Sequence, residues 1–288
     1  MNLSQLLHHF KEELKDVYEE EEVKSIFFIS VEHLLQLRRS QLMLNWEKEP
    51  EPEKLTSFLT ILEGLKTHKP IQYLLGEAFF YGSVFKVNEA VLIPRPETEE
   101  LVDWILEEKR PAPSVIDFGT GTGCIAISLK KHLKDASVTA VDISEEALRI
   151  ASENAGINQA EVSFVSADIL TFQSDTKFDI IVSNPPYITE KERTEMQQNV
   201  LAHEPHLALF VTDERPLLFY EAVADFALSN LKENGSLFFE INEYLAQEMI
   251  QMLKDKSFVS IELRKDMQGK DRMIRAGLKL NHLSSGVI

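Results

Sequence analysis

An apolar run, Val115-Ile116-Asp117-Phe118, passes straight into Gly119-Thr120-Gly121-Thr122-Gly123 and then into a helix-forming stretch at 124–130. Glycines directly after a strand let the backbone turn tightly and approach a ligand, with the N–H groups of a helix start aimed at it. The spacing is Gly-x-Gly-x-Gly, one residue shorter than the dinucleotide-fold loop, and the lysine required by a phosphate-cradling loop is absent. Further apolar runs at 138–141, 162–165, 178–182, 237–239 and 259–263 alternate with helical patterns. Strands separated by helices predict βαβ units, hence an α/β fold with a mostly parallel sheet and helices on both faces.

The chain upstream of the loop reads differently. Residues 1–75 contain one glycine, Gly64, and apolar side chains recur at helical spacing: Leu6, Leu7, Phe10, Leu14 and Val17, then Ile26, Ile29, His33 and Leu37. A third such stretch covers 57–65, and Pro50-Glu51-Pro52 separates it from the second. The acidic run at 19–22 suits a helix start, where negative charge complements the dipole. We therefore expect a small all-α domain over 1–75, a linking β-hairpin over 76–94 built from 78–81 and 84–87 around Gly82, and the α/β domain over 95–288.

Two carboxylates flank the loop. Asp142 ends the strand after it, where a carboxylate can accept hydrogen bonds from both ribose hydroxyls, and Asp168 follows the next strand, placed to meet the exocyclic amine of an adenine. The bland alternative is a tight strand–helix turn with Asp142 as a helix N-cap. Three ligand-facing features at successive strand ends weigh against it, because open α/β sheets bind ligands along that edge. The pattern resembles the class I S-adenosylmethionine-dependent methyltransferases.

Strand 178–182 runs into Asn184-Pro185-Pro186-Tyr187. Two prolines cannot continue a sheet ladder, so a rigid turn ends this strand too. It offers the Asn184 side-chain oxygen and the Pro185 carbonyl as acceptors for the two hydrogens of a planar –NH₂, with the Tyr187 ring to pack on the flat group behind it. An amide or aminoaromatic nitrogen is a poor nucleophile because its lone pair is delocalised. Two acceptors orient that lone pair and stabilise the positive charge that develops. The turn contains no His, Glu or Lys, so no general base is assigned, and no metal site is expected.

Such turns serve adenine, cytosine and glutamine acceptors alike. The remaining motifs are more specific: Pro70-Ile71-Gln72-Tyr73-Leu74-Leu75-Gly76, Phe79-Phe80-Tyr81-Gly82, Leu92-Ile93-Pro94-Arg95-Pro96-Glu97-Thr98-Glu99, His203-Glu204-Pro205 with Ala208-Leu209-Phe210, and Gly269-Lys270-Asp271-Arg272. Over about residues 70–276 the chain resembles the bacterial peptide-chain release factor N5-glutamine methyltransferases. The resemblance implies methyl transfer from S-adenosyl-L-methionine, leaving S-adenosyl-L-homocysteine, to the glutamine of the Gly-Gly-Gln motif in class 1 release factors. It implies that Gly119, Thr120, Gly121, Thr122, Gly123, Asp142, Asp168, Ile169 and Asn184 hold the cofactor. Asn184, Pro185, Pro186 and Tyr187 would hold the glutamine, with Asn184, Pro185 and Tyr187 catalytic. Ile169 stands where the family often has a larger residue, and Glu240-Ile241-Asn242 replaces Glu-Ile-Gly, tolerable unless a positive φ is needed there. Arg95 is expected to anchor Glu97, and Cys124 to be a small buried packing residue.

Charge bears on the acceptor. Lys and Arg number 30 against 47 Asp and Glu, a net charge of −17. Residues 1–75 carry 13 acidic and nine basic groups, so most of the excess lies in the α/β part. A nucleic-acid amino-methyltransferase is the alternative reading, but such enzymes need a basic track for phosphates. A module that merely binds the cofactor would not need acceptors aimed at an –NH₂. One cysteine rules out an internal disulfide framework, and residues 1–16 lack an apolar run behind a basic leader. No membrane span is expected, and a cytoplasmic, monomeric enzyme is.

Overall fold

A computed structural model describes residues 1–196 and 198–279. Its contacts divide the chain into two compact units, one of Met1–Glu77 with Met196–His203, the other of Ala78–Glu195 with the chain from Glu204 onward.

Helices α1 (Leu3–Leu14), α2 (Glu20–Leu35), α3 (Arg39–Leu42), α4 (Pro52–Leu65) and α5 (Ile71–Leu75) build the first unit. Asn2 caps α1 through a reciprocal box with Gln5, and Pro52 opens α4 in the first turn, where its missing N–H costs nothing. Leu3, Leu6, Phe10 and Leu14 meet Phe27 and Phe58, whose rings lie 5.9 Å apart and stacked. The acidic residues do sit in the first turn of α2, where Glu20 pairs with Lys11 and Lys24. The buried stripe of α2 is Val23, Ile26, Phe27, Ser30 and Val31, and Ile29 lies 44% exposed. A third residue counted on from Ile26 rotates away from the side that Phe27 and Val31 share, so the expected face was misphased.

A hairpin follows, with strands β1 (Glu77–Phe80), which enters the second unit at Ala78, and β2 (Ser83–Lys86). Tyr81 and Gly82 between them both have positive φ, which a two-residue hairpin turn with the right twist requires. The remainder alternates α6 (Pro96–Glu107), β3 (Ser114–Phe118), α7 (Cys124–His132), β4 (Ser137–Asp142), α8 (Glu145–Ile157), β5 (Ser163–Ser166), β6 (Phe178–Ser183) and the short β7 (Ile188–Thr189). Beyond α9 (Gln198–His203), which belongs to the first unit, come α10 (His206–Leu209), β8 (Phe210–Val211), α11 (Leu218–Asn230), β9 (Leu231–Glu240), α12 (Ala246–Asp255), β10 (Phe258–Lys265) and β11 (Asp271–Leu278).

Seven strands form one sheet in the order β10-β11-β9-β6-β3-β4-β5, parallel except at β11, which pairs antiparallel with both neighbours. Adjacent side chains of β9 point to opposite faces. Phe239 joins Tyr220 and Ile181 on one, and Phe238 joins Trp104 and Val182 on the other. β11 had no expected counterpart, because Asp271, Arg272 and Arg275 interrupt its apolar residues. The strand order brings the carboxyl ends of β6, β3, β4 and β5 to a single edge.

Candidate functional site

At that edge the glycine loop leaves β3. Gly119, Gly121 and Gly123 have φ of 69°, 55° and 79°, a left-handed region that any side chain would strain. The loop is tied down on every side. The N–H groups of Gly119 and Thr120 donate to the Val141 carbonyl at 2.9 and 3.1 Å, and Gly121 N–H donates to Asp142 Oδ2 at 2.9 Å. Asn154 on α8, which nothing in the sequence singled out, donates to the Thr122 carbonyl at 3.0 Å. Thr120 and Thr122 are buried. Asp142 Oδ1 accepts from Ser144 N–H, and Ser144, not Asp142, caps α8 through Ala147 N–H. The N-cap alternative for Asp142 therefore does not hold.

Asp168 follows β5 and accepts Leu170 N–H at 2.9 Å, while Ala167 N–H meets the Asp142 carbonyl at 3.0 Å. Ile169 is half-buried against the core that contains Phe118. Beneath the loop lies Asp117, fully buried. Its Oδ2 accepts from Thr120 Oγ1 at 2.6 Å, and among the described residues its Oδ1 has no hydrogen-bond partner. Burial pushes its carboxyl up to about 7. Cys124 is half-buried and packs against the core that contains Trp104, more open than expected. Desolvation pushes its thiol up to about 12, which leaves it inert at neutral pH.

The Asn184–Tyr187 turn ends the neighbouring strand β6. Ser183 Oγ donates to the Phe118 carbonyl at 2.8 Å, and a Cβ on Gly119 would stand 4.0 Å from the Asn184 carbonyl oxygen. The turn and the glycine loop thus face each other across adjacent strands. Pro185 is buried, and Asn184, Pro186 and Tyr187 are half-buried. Behind them is a group that the sequence did not mark as functional, the Glu240 carboxylate at the end of β9, 1% exposed. Thr98 in the first turn of α6 donates to Glu240 Oε2 at 2.6 Å, Tyr187 donates to Oε1 at 3.5 Å, and Asn184 Nδ2 donates to Thr98 Oγ1 at 3.4 Å. Burial pushes the Glu240 carboxyl up, opposed by the Thr98 hydrogen bond, the Arg272 charge and the Asn184 amide. Burial likewise raises the Tyr187 phenol, with Glu240 adding to it.

Two side chains take partners that the sequence did not announce. Arg95 pairs with Glu204 at 2.5 Å rather than with Glu97. Glu204, its side chain 1% exposed, also accepts Ile93 N–H at 3.3 Å, so the Pro94-Arg95-Pro96 and His203-Glu204-Pro205 motifs meet in one strut. Asn242 has φ −65°, so no glycine is required there. Its amide donates to the Tyr187 carbonyl at 3.2 Å and to Glu192 at 2.8 Å, fastening the exit of the turn.

Two families match the sequence: a methyltransferase small domain over residues 98–208, and the PrmC N-terminal domain over 5–76. Proteins named release factor glutamine methyltransferase are 46% identical in Flavobacterium psychrophilum, over 94% of this chain and 97% of that one, and 43% identical in Bacteroides thetaiotaomicron, over 95% and 99%. The chain belongs to the release factor glutamine methyltransferase family. It is an S-adenosylmethionine-dependent methyltransferase, with the fold and cofactor that the sequence resemblance implied.

Solved structures agree on the fold. A T. thermophilus 16S rRNA N2 G1207 methyltransferase, in complex with AdoMet and guanosine, superposes with a TM-score of 0.52 at 18% identity, covering 70% of this chain and 50% of that one. A Pyrococcus furiosus methyltransferase does so at 0.50 and 18%, covering 68% and 89%. One fold carries different acceptors, so the choice of acceptor lies in the residues of the site. Those residues suit the family's cofactor. The unpartnered Asp117 oxygen complements a cation, and the open side of Gly121, where a Cβ would meet nothing within 4 Å, leaves the backbone accessible. Among the described residues, no helix is long and apolar enough to cross a membrane.

Proposed function

We propose that this chain methylates the side-chain amide nitrogen of the glutamine in the Gly-Gly-Gln motif of class 1 peptide-chain release factors. What supports the reading is the Asn184–Tyr187 turn, whose Asn184 carbonyl oxygen would stand 4.0 Å from a Cβ on Gly119 of the glycine loop, in a chain with relatives named for this activity. S-adenosylmethionine supplies an electrophilic methyl group on a positively charged sulfur. Gly119, Thr120, Gly121, Thr122 and Gly123 let the backbone pass close to it, Asp142 holds its ribose, and Asp168 and Ile169 border its adenine. Asn184 and Pro185 accept the two amide hydrogens, Pro186 keeps the turn rigid, and Tyr187 covers the planar group. This holds the nitrogen in place and stabilises the positive charge on it as the new bond forms.

A protein acceptor also fits the net charge of −17, which disfavours phosphate tracking, and gives the helical unit a task in gripping a folded partner. We take the enzyme to be cytoplasmic and monomeric, in transient complex with its substrate and not bound directly to nucleic acid. Incubation with labelled S-adenosylmethionine, a release factor and, separately, unmethylated DNA and RNA tests the reading. Label is expected on the release factor. Label confined to nucleic acid would overturn the choice of acceptor.

Two cofactor-binding predictions follow from the carboxylates. Asp142→Ala is expected to weaken S-adenosylmethionine binding with a much smaller effect on turnover at saturation. Unchanged affinity by calorimetry would remove the ribose assignment. For Asp117, a bound cation favours the ionised form, so binding expels the proton present below a pKa of about 7. Affinity should therefore rise about tenfold between roughly pH 6 and 8 and level off above. Asp117→Asn should flatten that profile. A flat profile in the unaltered chain would show that Asp117 does not sense the cofactor.

A further inference from the structure

Asn184 serves the proposed chemistry only if its amide oxygen, not its –NH₂, faces the acceptor nitrogen. The two ends of an asparagine amide are nearly the same size, so packing alone does not choose between them. Hydrogen-bond polarity does. A carboxylate accepts and does not donate. Glu240, buried at the end of β9, thus obliges the Thr98 hydroxyl to point its single proton at Oε2, 2.6 Å away. With that proton committed, Thr98 Oγ1 has only lone pairs left for Asn184, and it takes the Asn184 –NH₂ at 3.4 Å. The opposite end of the amide, Oδ1, remains as an acceptor.

We infer that Glu240 and Thr98 are positioning residues, a polarity relay that fixes the Asn184 amide with its oxygen toward the methyl acceptor. The inference rests on the acceptor role proposed for Asn184. Tyr187 belongs to the same relay, because its hydroxyl donates to the other oxygen of Glu240 at 3.5 Å. One buried carboxylate therefore sets both side chains that flank the acceptor –NH₂. The groups facing Glu240 come from several elements: Thr98 and Glu97 of α6, Cys124 of α7, Asn184 and Tyr187 of the turn, Tyr220 of α11 and Arg272 of β11. Protonated Glu240 could donate to Thr98 instead, which frees Thr98 to donate to Asn184 and turns the amide around.

The test uses the full-length enzyme with a release factor. Thr98→Val keeps the shape of the side chain and removes the hydroxyl. It is expected to lower kcat by about 10- to 100-fold, as is usual when a supporting hydrogen bond is lost. The KM for the release factor and the calorimetric affinity for S-adenosylmethionine should stay within about twofold, the scatter expected for independent sites. Thr98→Ser should restore turnover. In an Asn184→Ala background Thr98→Val should have no further effect, since no amide is left to orient. Glu240→Gln, a second route to the same loss, should lower kcat and shift the acid limb of the kcat–pH profile. Turnover near that of the unaltered enzyme in both Thr98→Val and Glu240→Gln would overturn the relay. So would additivity of Thr98→Val with Asn184→Ala. If Asn184→Ala itself retains turnover, the acceptor role falls instead, which separates the two failures.

Discussion

Asn184→Ala is expected to lower turnover on a release factor by about 10²–10³-fold, the usual loss when one preorganised polar contact to a developing charge is removed. Cofactor affinity should change little, because the glycine loop is tied to Val141, Asp142 and Asn154 independently of that side chain. The change should also be well tolerated by the fold. Asn184 is half-buried and its –NH₂ makes a long 3.4 Å bond to Thr98, so truncation strands no strongly bonded partner. Single-turnover measurements with saturating S-adenosylmethionine report the chemical step. Near-normal rates there would remove Asn184 from the mechanism, whatever happened to KM.

How much of this could be read from the sequence follows from the range of the interactions. The glycine loop, Asp142, Asp168 and the Asn-Pro-Pro-Tyr turn are legible because each is local, a strand end followed by residues with special backbone or acceptor properties. The parallel sheet is legible from the alternation of strands and helices. Glu240 stands in the short run Glu240-Ile241-Asn242, yet its role depends on Thr98, 142 positions away, and on Tyr187, 53 away. No local pattern encodes that meeting. The same holds for Asn154 against Thr122 and for Asn242 against Tyr187. Arg95 shows how a local rule misleads. Glu97 lies two positions on, but at a helix start these two side chains do not face each other, and the guanidinium goes to Glu204. Buried carboxylates such as Asp117 and Glu240 also look in sequence like ordinary surface charge, and only the fold shows what they lack.

The strut at Arg95 carries the largest stability prediction. Arg95→Met takes the guanidinium from Glu204, whose side chain is 1% exposed and which keeps a weak bond from Ile93 N–H at 3.3 Å. Removing one partner of a buried pair strands the other charge, so a loss of about 3 kcal/mol is expected, the low end of the range because Arg95 is itself one-third exposed. The double variant Arg95→Met with Glu204→Gln should recover part of that loss, since no charge is then buried. The two outcomes separate a stranded charge from lost packing, because lost packing would make the double variant as unstable as the single one. Urea midpoints of the single and double variants measure this. The strut precedes α6, whose first turn carries Thr98, so Arg95→Met should also lower kcat if the helix start shifts. An unchanged kcat beside the expected stability loss would show that α6 keeps its place without the strut.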